Sequence, residues 1–144
     1  MKRHSLEILY RYRKHLLEKE QIALQERIGD ENQQKLRLVQ LQARVQETHN
    51  GKQKARTVEE LRSLDEAAAY LHGRMTLAKR AISISAQARQ DAVEKTLKAK
   101  QVLDQTEAML EKGRRRDVAD FDEAERRQLD EIVTSRYAMA LRGV

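Results

Sequence analysis

His49-Asn50-Gly51-Lys52 is where the helical pattern of this chain clearly breaks, and Thr57-Val58-Glu59-Glu60 follows it closely. The first group gathers turn-forming residues. The second has the form of a capping box: the Thr57 hydroxyl can accept from the Glu60 N–H while the Glu60 carboxylate reaches back. Lys52, Lys54 and Arg56 make the connection basic. A stop followed by a start predicts an all-α chain. Its first helix runs over about 5–48, its turn over about 49–56 and its second helix over about 57–138, in one elongated coiled-coil domain spanning 1–144.

Composition on either side of the turn agrees. There is no proline and no tryptophan, and charged residues make up 36% of the 144 positions. Alanine, leucine, glutamate, lysine and arginine at this density mark coiled coils and long helices. Stability then comes from a narrow seam, and function from surface rather than from a pocket. Gly29 costs roughly 1 kcal/mol relative to alanine inside a helix. Gly113, followed by Arg114-Arg115-Arg116, is a candidate bend in a continuous second helix.

Tyr10, Leu17, Leu24, Leu38 and Val45 fall on one seven-residue row, interrupted by Glu31 and flanked by Leu6, Ile28 and Leu41. Arg13, Glu20, Arg27 and Gln34 dilute it where a tight zipper carries leucine. In the second helix, Leu61, Ala68, Met75, Ile82, Thr96, Leu103 and Leu110 form a row with Arg89 as the exception. Leu64, Leu71, Ala78, Ser85, Ala92, Ala99 and Thr106 form the row beside it. Folding at about residue 53 sets Leu61 opposite Val45, Ala78 opposite Ile28, Ile82 opposite Leu24, Arg89 opposite Leu17 and Thr96 opposite Tyr10. The expected product is an antiparallel two-helix hairpin. Its arms are roughly 65 and 120 Å long at about 1.5 Å per residue, so the second helix outruns the first beyond about residue 103. That overhang carries Leu103, Leu110, Val118, Phe121, Leu129, Ile132, Val133, Tyr137 and Met139, and exposed apolar rows mark interaction surfaces.

Several chemistries find no support in the residues. Without cysteine there is no disulfide framework and no thiolate metal site. His4, His15, His49 and His72 are scattered, without the i,i+4 spacing that sets two ligands on one helix face. Asp65-Glu66 and Asp130-Glu131 are adjacent and point apart. No glycine-rich phosphate loop is present. The expectation is a protein that is not an enzyme and takes no cofactor. The segment from Met1 to Leu9 has a basic head but Arg11, Arg13 and Lys14 follow at once, so it does not read as a signal peptide. No stretch approaches the ~20 apolar residues of a membrane span. A cytoplasmic protein without membrane insertion is expected.

Lysine and arginine number 29 against 23 acids. The excess gathers at Lys2, Arg3, Arg11, Arg13 and Lys14 and again at Arg114 to Arg116. A basic zipper places its basic helix before a strong parallel leucine repeat, which this diluted seam is not. Single-strand binding wants aromatic platforms, which are almost absent. Nucleic acid is therefore not the expected partner, and an acidic protein surface suits the two clusters better.

Leu6-Glu7-Ile8-Leu9-Tyr10-Arg11-Tyr12-Arg13-Lys14-His15-Leu16 resembles the start of the flagellar export protein FliJ family. Glu125-Arg126-Arg127-Gln128-Leu129-Asp130-Glu131-Ile132, with Arg136 beyond, is similar to that family's C-terminal signature. The usual N-terminal phenylalanine is replaced by Met1-Lys2-Arg3-His4-Ser5. The resemblance implies an antiparallel coiled coil that enters the hexameric flagellar type III export ATPase as a stalk. It also implies contact with the cytoplasmic domain of the export gate, and for some members the escort of export chaperones. The location it implies is the cytoplasmic face of the inner membrane at the flagellar base. Injectisome stalk proteins of the YscO type are close relatives. Carried onto this chain, the candidate ATPase-ring contacts are Arg11, Arg13, Lys14, Arg114, Arg115, Arg116, Phe121, Arg126, Arg127, Ile132, Val133, Arg136 and Tyr137. The candidate gate contacts are Leu71, Met75, Ala78 and Ile82, although their heptad spacing fits the seam better. A generic coiled-coil scaffold is the competing expectation.

Overall fold

The computed structural model describes residues 2–143. The protein is all-α: helix α1 covers Arg3–Gln53, 51 residues, and helix α2 covers Val58–Arg142, 85 residues. No described residue lies in a strand. The contacts divide into two units, one of Leu16–Lys100 and one of Met1–His15 with Gln101–Val144.

In the Leu16–Lys100 unit, α1 does not stop at His49. It continues through Asn50, Gly51 and Lys52 to Gln53, and only residues 54–57 form the connection. Glycine is tolerated there because the local penalty of about 1 kcal/mol is small against packing. A methyl at Gly51 would lie 3.5 Å from a Leu64 methyl, so the leucine already rests on this turn of α1. Lys52 pairs with Asp65 at 2.7 Å, and the Gln46 amide donates to Asn50 at 3.2 Å. The start of α2 is capped as expected: the Glu60 N–H donates to the Thr57 hydroxyl at 3.1 Å. The Glu60 carboxylate reaches one residue further back than a capping box requires, to the Arg56 N–H at 3.0 Å.

Burial in this unit follows the two expected seven-residue rows. Leu41 and Leu71 are buried with Ala78, and Leu38, Val45 and Met75 pack against them. The register is different from the expected one. Glu31 pairs with Arg89, and the Thr96 hydroxyl, which donates to the Ala92 carbonyl at 2.8 Å, lies 3.3 Å from the Glu20 carbonyl. The midpoints of the Lys52–Asp65, Glu31–Arg89 and Glu20–Thr96 pairs fall at Val58 to Glu60, beyond the turn. Folding at residue 53 is therefore overturned. Leu61, expected opposite Val45, is exposed, and Arg89 meets Glu31 rather than Leu17. The extra helical turn at Gly51 moves the fold point, and the two charges that interrupt the apolar rows select each other.

In the other unit, Leu6 and Leu103 are buried and Thr106 is fully so. Thr106 accepts from the Arg13 guanidinium and donates to the Val102 carbonyl at 3.0 Å. Arg3 reaches Asp117 at 3.4 Å. Leu103 and Leu110 thus do not belong to an unpartnered stretch: Leu103 is buried and Leu110 half-buried. Exposure becomes continuous only from Arg114 onward. Helix α2 passes through Gly113 without interruption, in line with the continuous second helix expected there.

The register has a direct test. Cysteines at Glu20 and Thr96 should join within one monomer under a short bismaleimide, because the Thr96 hydroxyl touches the backbone at Glu20. Cysteines at Leu24 and Ile82, about twelve residues or roughly 18 Å out of step, should not. Joining of the second pair alone would restore the fold point at residue 53.

Candidate functional site

Three surfaces carry the residues that sequence reasoning singled out. The first is the polar layer of the Leu16–Lys100 unit. Glu31 is only 6% exposed, unusual for a glutamate. Its carboxylate accepts from Lys35 at 3.0 Å, one turn along α1, and from Arg89 at 2.5 Å on α2. The Lys35 ammonium, then the Arg89 guanidinium, hold its pKa below the ordinary carboxylate range against the opposing effect of burial. Two long cationic side chains cover the carboxylate, so it is hidden from water by its own partners. This arrangement ties α1 to α2 at one register.

The second surface comprises the gate candidates. Leu71 and Ala78 are buried against Leu41, Met75 packs on the same cluster and Ile82 is half-buried. All four lie on the seam, so a partner could reach Leu71 or Ala78 only by opening it. The outward face of the same stretch carries a row that sequence reasoning missed: Tyr70 at 65% exposure, Leu77 and Ile84, each a heptad from the next. Tyr70 shares a shallow groove with Arg37, Arg44 and Arg74, and Leu77 lines its continuation beside Gln34. The signal was present, because three apolar residues seven apart lie off both seam rows.

The third surface is the ring candidates, all of which fall in the unit of Met1–His15 and Gln101–Val144. Arg11, Lys14 and Arg114 line one shallow groove with Tyr10, Leu110, Glu7, Glu107 and Glu111, so the two basic clusters do meet. Arg13 is apart from them, committed to Thr106. Arg114 and Arg115 each pair with Glu111, at 3.6 and 3.4 Å, and Arg127 pairs with Glu123 at 2.8 Å. Exposed ion pairs of this kind contribute little, about 0.3–0.5 kcal/mol within a helix, and part readily for a partner. Phe121 is 70% exposed, with Ile132, Val133 and Tyr137 exposed beyond it. Arg116, Arg126 and Arg136 are exposed as well.

From residue 119 on, Asp120, Asp122, Glu123, Glu125, Asp130 and Glu131 outnumber Arg126, Arg127, Arg136 and Arg142. The C-terminal stretch is apolar and mixed in charge rather than basic; the basic character lies in the groove around Arg11, Lys14 and Arg114. Among the described residues, no group of histidines and carboxylates is placed to hold a metal ion, and no helix is long and apolar enough to cross a membrane. Compared with protein-family models, curated proteins and solved structures, the chain finds no match.

Two predictions follow from the first two surfaces. Glu31 has a folded-state pKa below its unfolded value of about 4.3. Its contribution is therefore complete above about pH 4.3 and is lost as pH falls through the lower folded value. Glu31→Gln should melt below wild type at pH 7, and the gap between them should close as pH drops below about 4. A constant gap would mean that the carboxylate's charge does not matter to the seam. Separately, Met75→Glu should lower helicity and melting temperature, while Leu77→Glu, on an exposed position, should leave both unchanged. Equal effects of the two would remove the distinction between seam and outward face.

Proposed function

We propose that this chain is a stalk and adaptor of the flagellar type III export apparatus, built as an antiparallel two-helix coiled-coil hairpin with a longer second helix. In this reading it couples the hexameric export ATPase to the export gate at the cytoplasmic face of the inner membrane. What carries the reading is the end of α2. About 25 residues beyond Asp117, the last residue of α2 with an ion-pair partner in α1 among the described residues, remain helical yet expose Phe121, Leu129, Ile132, Val133 and Tyr137. A monomer has no use for such a face, and large exposed apolar surfaces mark binding sites.

The resemblance of Leu6–Leu16 and Glu125–Ile132 to the two ends of the FliJ family supports the same assignment. Apolar contacts without fixed directional bonds tolerate sliding against a ring wall. The basic groove at Arg11, Lys14 and Arg114 supplies attraction to an acidic rim, screened over a Debye length of about 8–10 Å. For the gate, the exposed row Tyr70, Leu77 and Ile84 is the better contact, since Leu71 and Ala78 are enclosed. Export chaperones are further partners in this reading, and the equivalent injectisome stalk is the closest variant of it. A generic scaffold would need neither a basic groove nor an apolar end.

Removal of residues 119–144 tests the assignment. The truncated chain should melt close to the full-length protein, because the removed side chains are exposed where described, and it should no longer stimulate the export ATPase. Undiminished stimulation would place the ring contact elsewhere.

A further inference from the structure

Around α2, at about 100° per residue, Val118, Phe121, Leu129, Ile132, Val133 and Met139 lie within about 120° of one another. Nearest the middle of that apolar face sit an acid and a base, Glu125 and Arg136, and a second acid, Asp122, lies further from its centre. Neither Glu125 nor Arg136 has an ion-pair partner among the described residues; Phe121 and Leu129 flank Glu125 and Ile132 flanks Arg136 at four residues' distance, while Asp122 lies three residues before Glu125. A charge in the centre of an apolar stripe costs desolvation when the stripe is covered, unless the covering surface supplies its opposite.

We propose that the covering surface is a second copy of this chain, its C-terminal segment running antiparallel to the first. A two-fold axis between Asp130 and Glu131 sets Glu125 of one copy opposite Arg136 of the other, and by symmetry the reverse, as an isologous interface requires. The same axis sets Leu129 opposite the partner's Ile132 and Phe121, the largest apolar side chain of the segment, opposite the partner's Ala140. A single helix thus carries both halves of the Glu125–Arg136 pair, while Asp122 falls opposite the partner's Met139. The chain already uses the same device: Glu31 interrupts one apolar row, Arg89 interrupts the facing row, and the two meet at 2.5 Å. The segment from Val118 to Arg142 is about 37 Å long, long enough for a specific contact between two helices. The inference is independent of the stalk reading. If both hold, self-pairing and ring binding use one face and exclude each other.

Charge reversal decides the matter, because it changes no apolar contact. The full-length chain should have dimer mass by light scattering at tens of micromolar, and removal of residues 119–144 should return it to monomer mass. Glu125→Arg alone and Arg136→Glu alone should each raise the dissociation constant at least tenfold, since each makes two like-charge contacts. The double reversal E125R/R136E should restore the dimer, and so should an equimolar mixture of the two single variants, as a heterodimer. Circular dichroism of each variant monitors folding. A wild-type protein that stays monomeric at these concentrations overturns the proposal, as does a dimer indifferent to both single reversals. Pairing only in the mixture of single variants also overturns it, since that pattern belongs to parallel helices.

Discussion

The pairing of Glu31 with Arg89 is the constraint from which the arrangement of the Leu16–Lys100 unit follows. Rows of leucine and alanine specify register weakly, since a slip of one heptad exchanges one apolar layer for another at small cost. A carboxylate 6% exposed does not permit that exchange. A slip of one heptad sets Glu31 against Ile82 or Thr96 and Arg89 against Leu24 or Leu38, leaving two charges without opposite partners, whereas the observed register satisfies both and recruits Lys35. Once that layer is fixed, Leu41 must meet Leu71 and Ala78, and Lys52 must fall beside Asp65. The length of the connection is then determined, and α1 has to remain helical through Gly51 to reach it.

Much of the fold was legible because the features that carry it are local or periodic. The seven-residue rows, the Thr57–Glu60 cap and the continuity of α2 through Gly113 can each be read from residues a few positions apart. Register is different in kind, because it depends on which distant residues satisfy one another. Read singly, Glu31 and Arg89 are flaws in two rows; only their charges together identify a layer. The break at His49-Asn50-Gly51-Lys52 failed for a related reason: turn propensity worth about 1 kcal/mol is outweighed when Leu64 packs onto Gly51 and Asp65 holds Lys52.

The candidate surfaces divide along the same line. Phe121, Ile132, Val133 and Tyr137 were legible as exposed because the chain holds no seam row to cover them, and exposed they are. Leu103 was misread as unpartnered only because the fold point was placed too early. Arg13 looked like part of a basic surface, yet its guanidinium is committed to Thr106, a hydroxyl buried on a seam row that needs a partner. Polar seam residues are hard to recognise from sequence, since a threonine or arginine in a heptad position looks like dilution until its opposite number is known.

The C-terminal stretch of α2 has an energetic position different from that of a free peptide. A separate helix of about 25 residues is stable in water only with favourable sequence and must first pass a costly nucleation. Here nucleation has already occurred, because the same helix is packed at Leu103 and Thr106 and simply propagates onward. Alanine, glutamate, arginine and leucine propagate well, and the Arg127–Glu123 pair adds a few tenths of a kcal/mol. A partner therefore meets a helix already formed rather than a chain it must order. Binding then loses less to conformational entropy, so a narrow apolar stripe with two well-placed charges is sufficient for recognition.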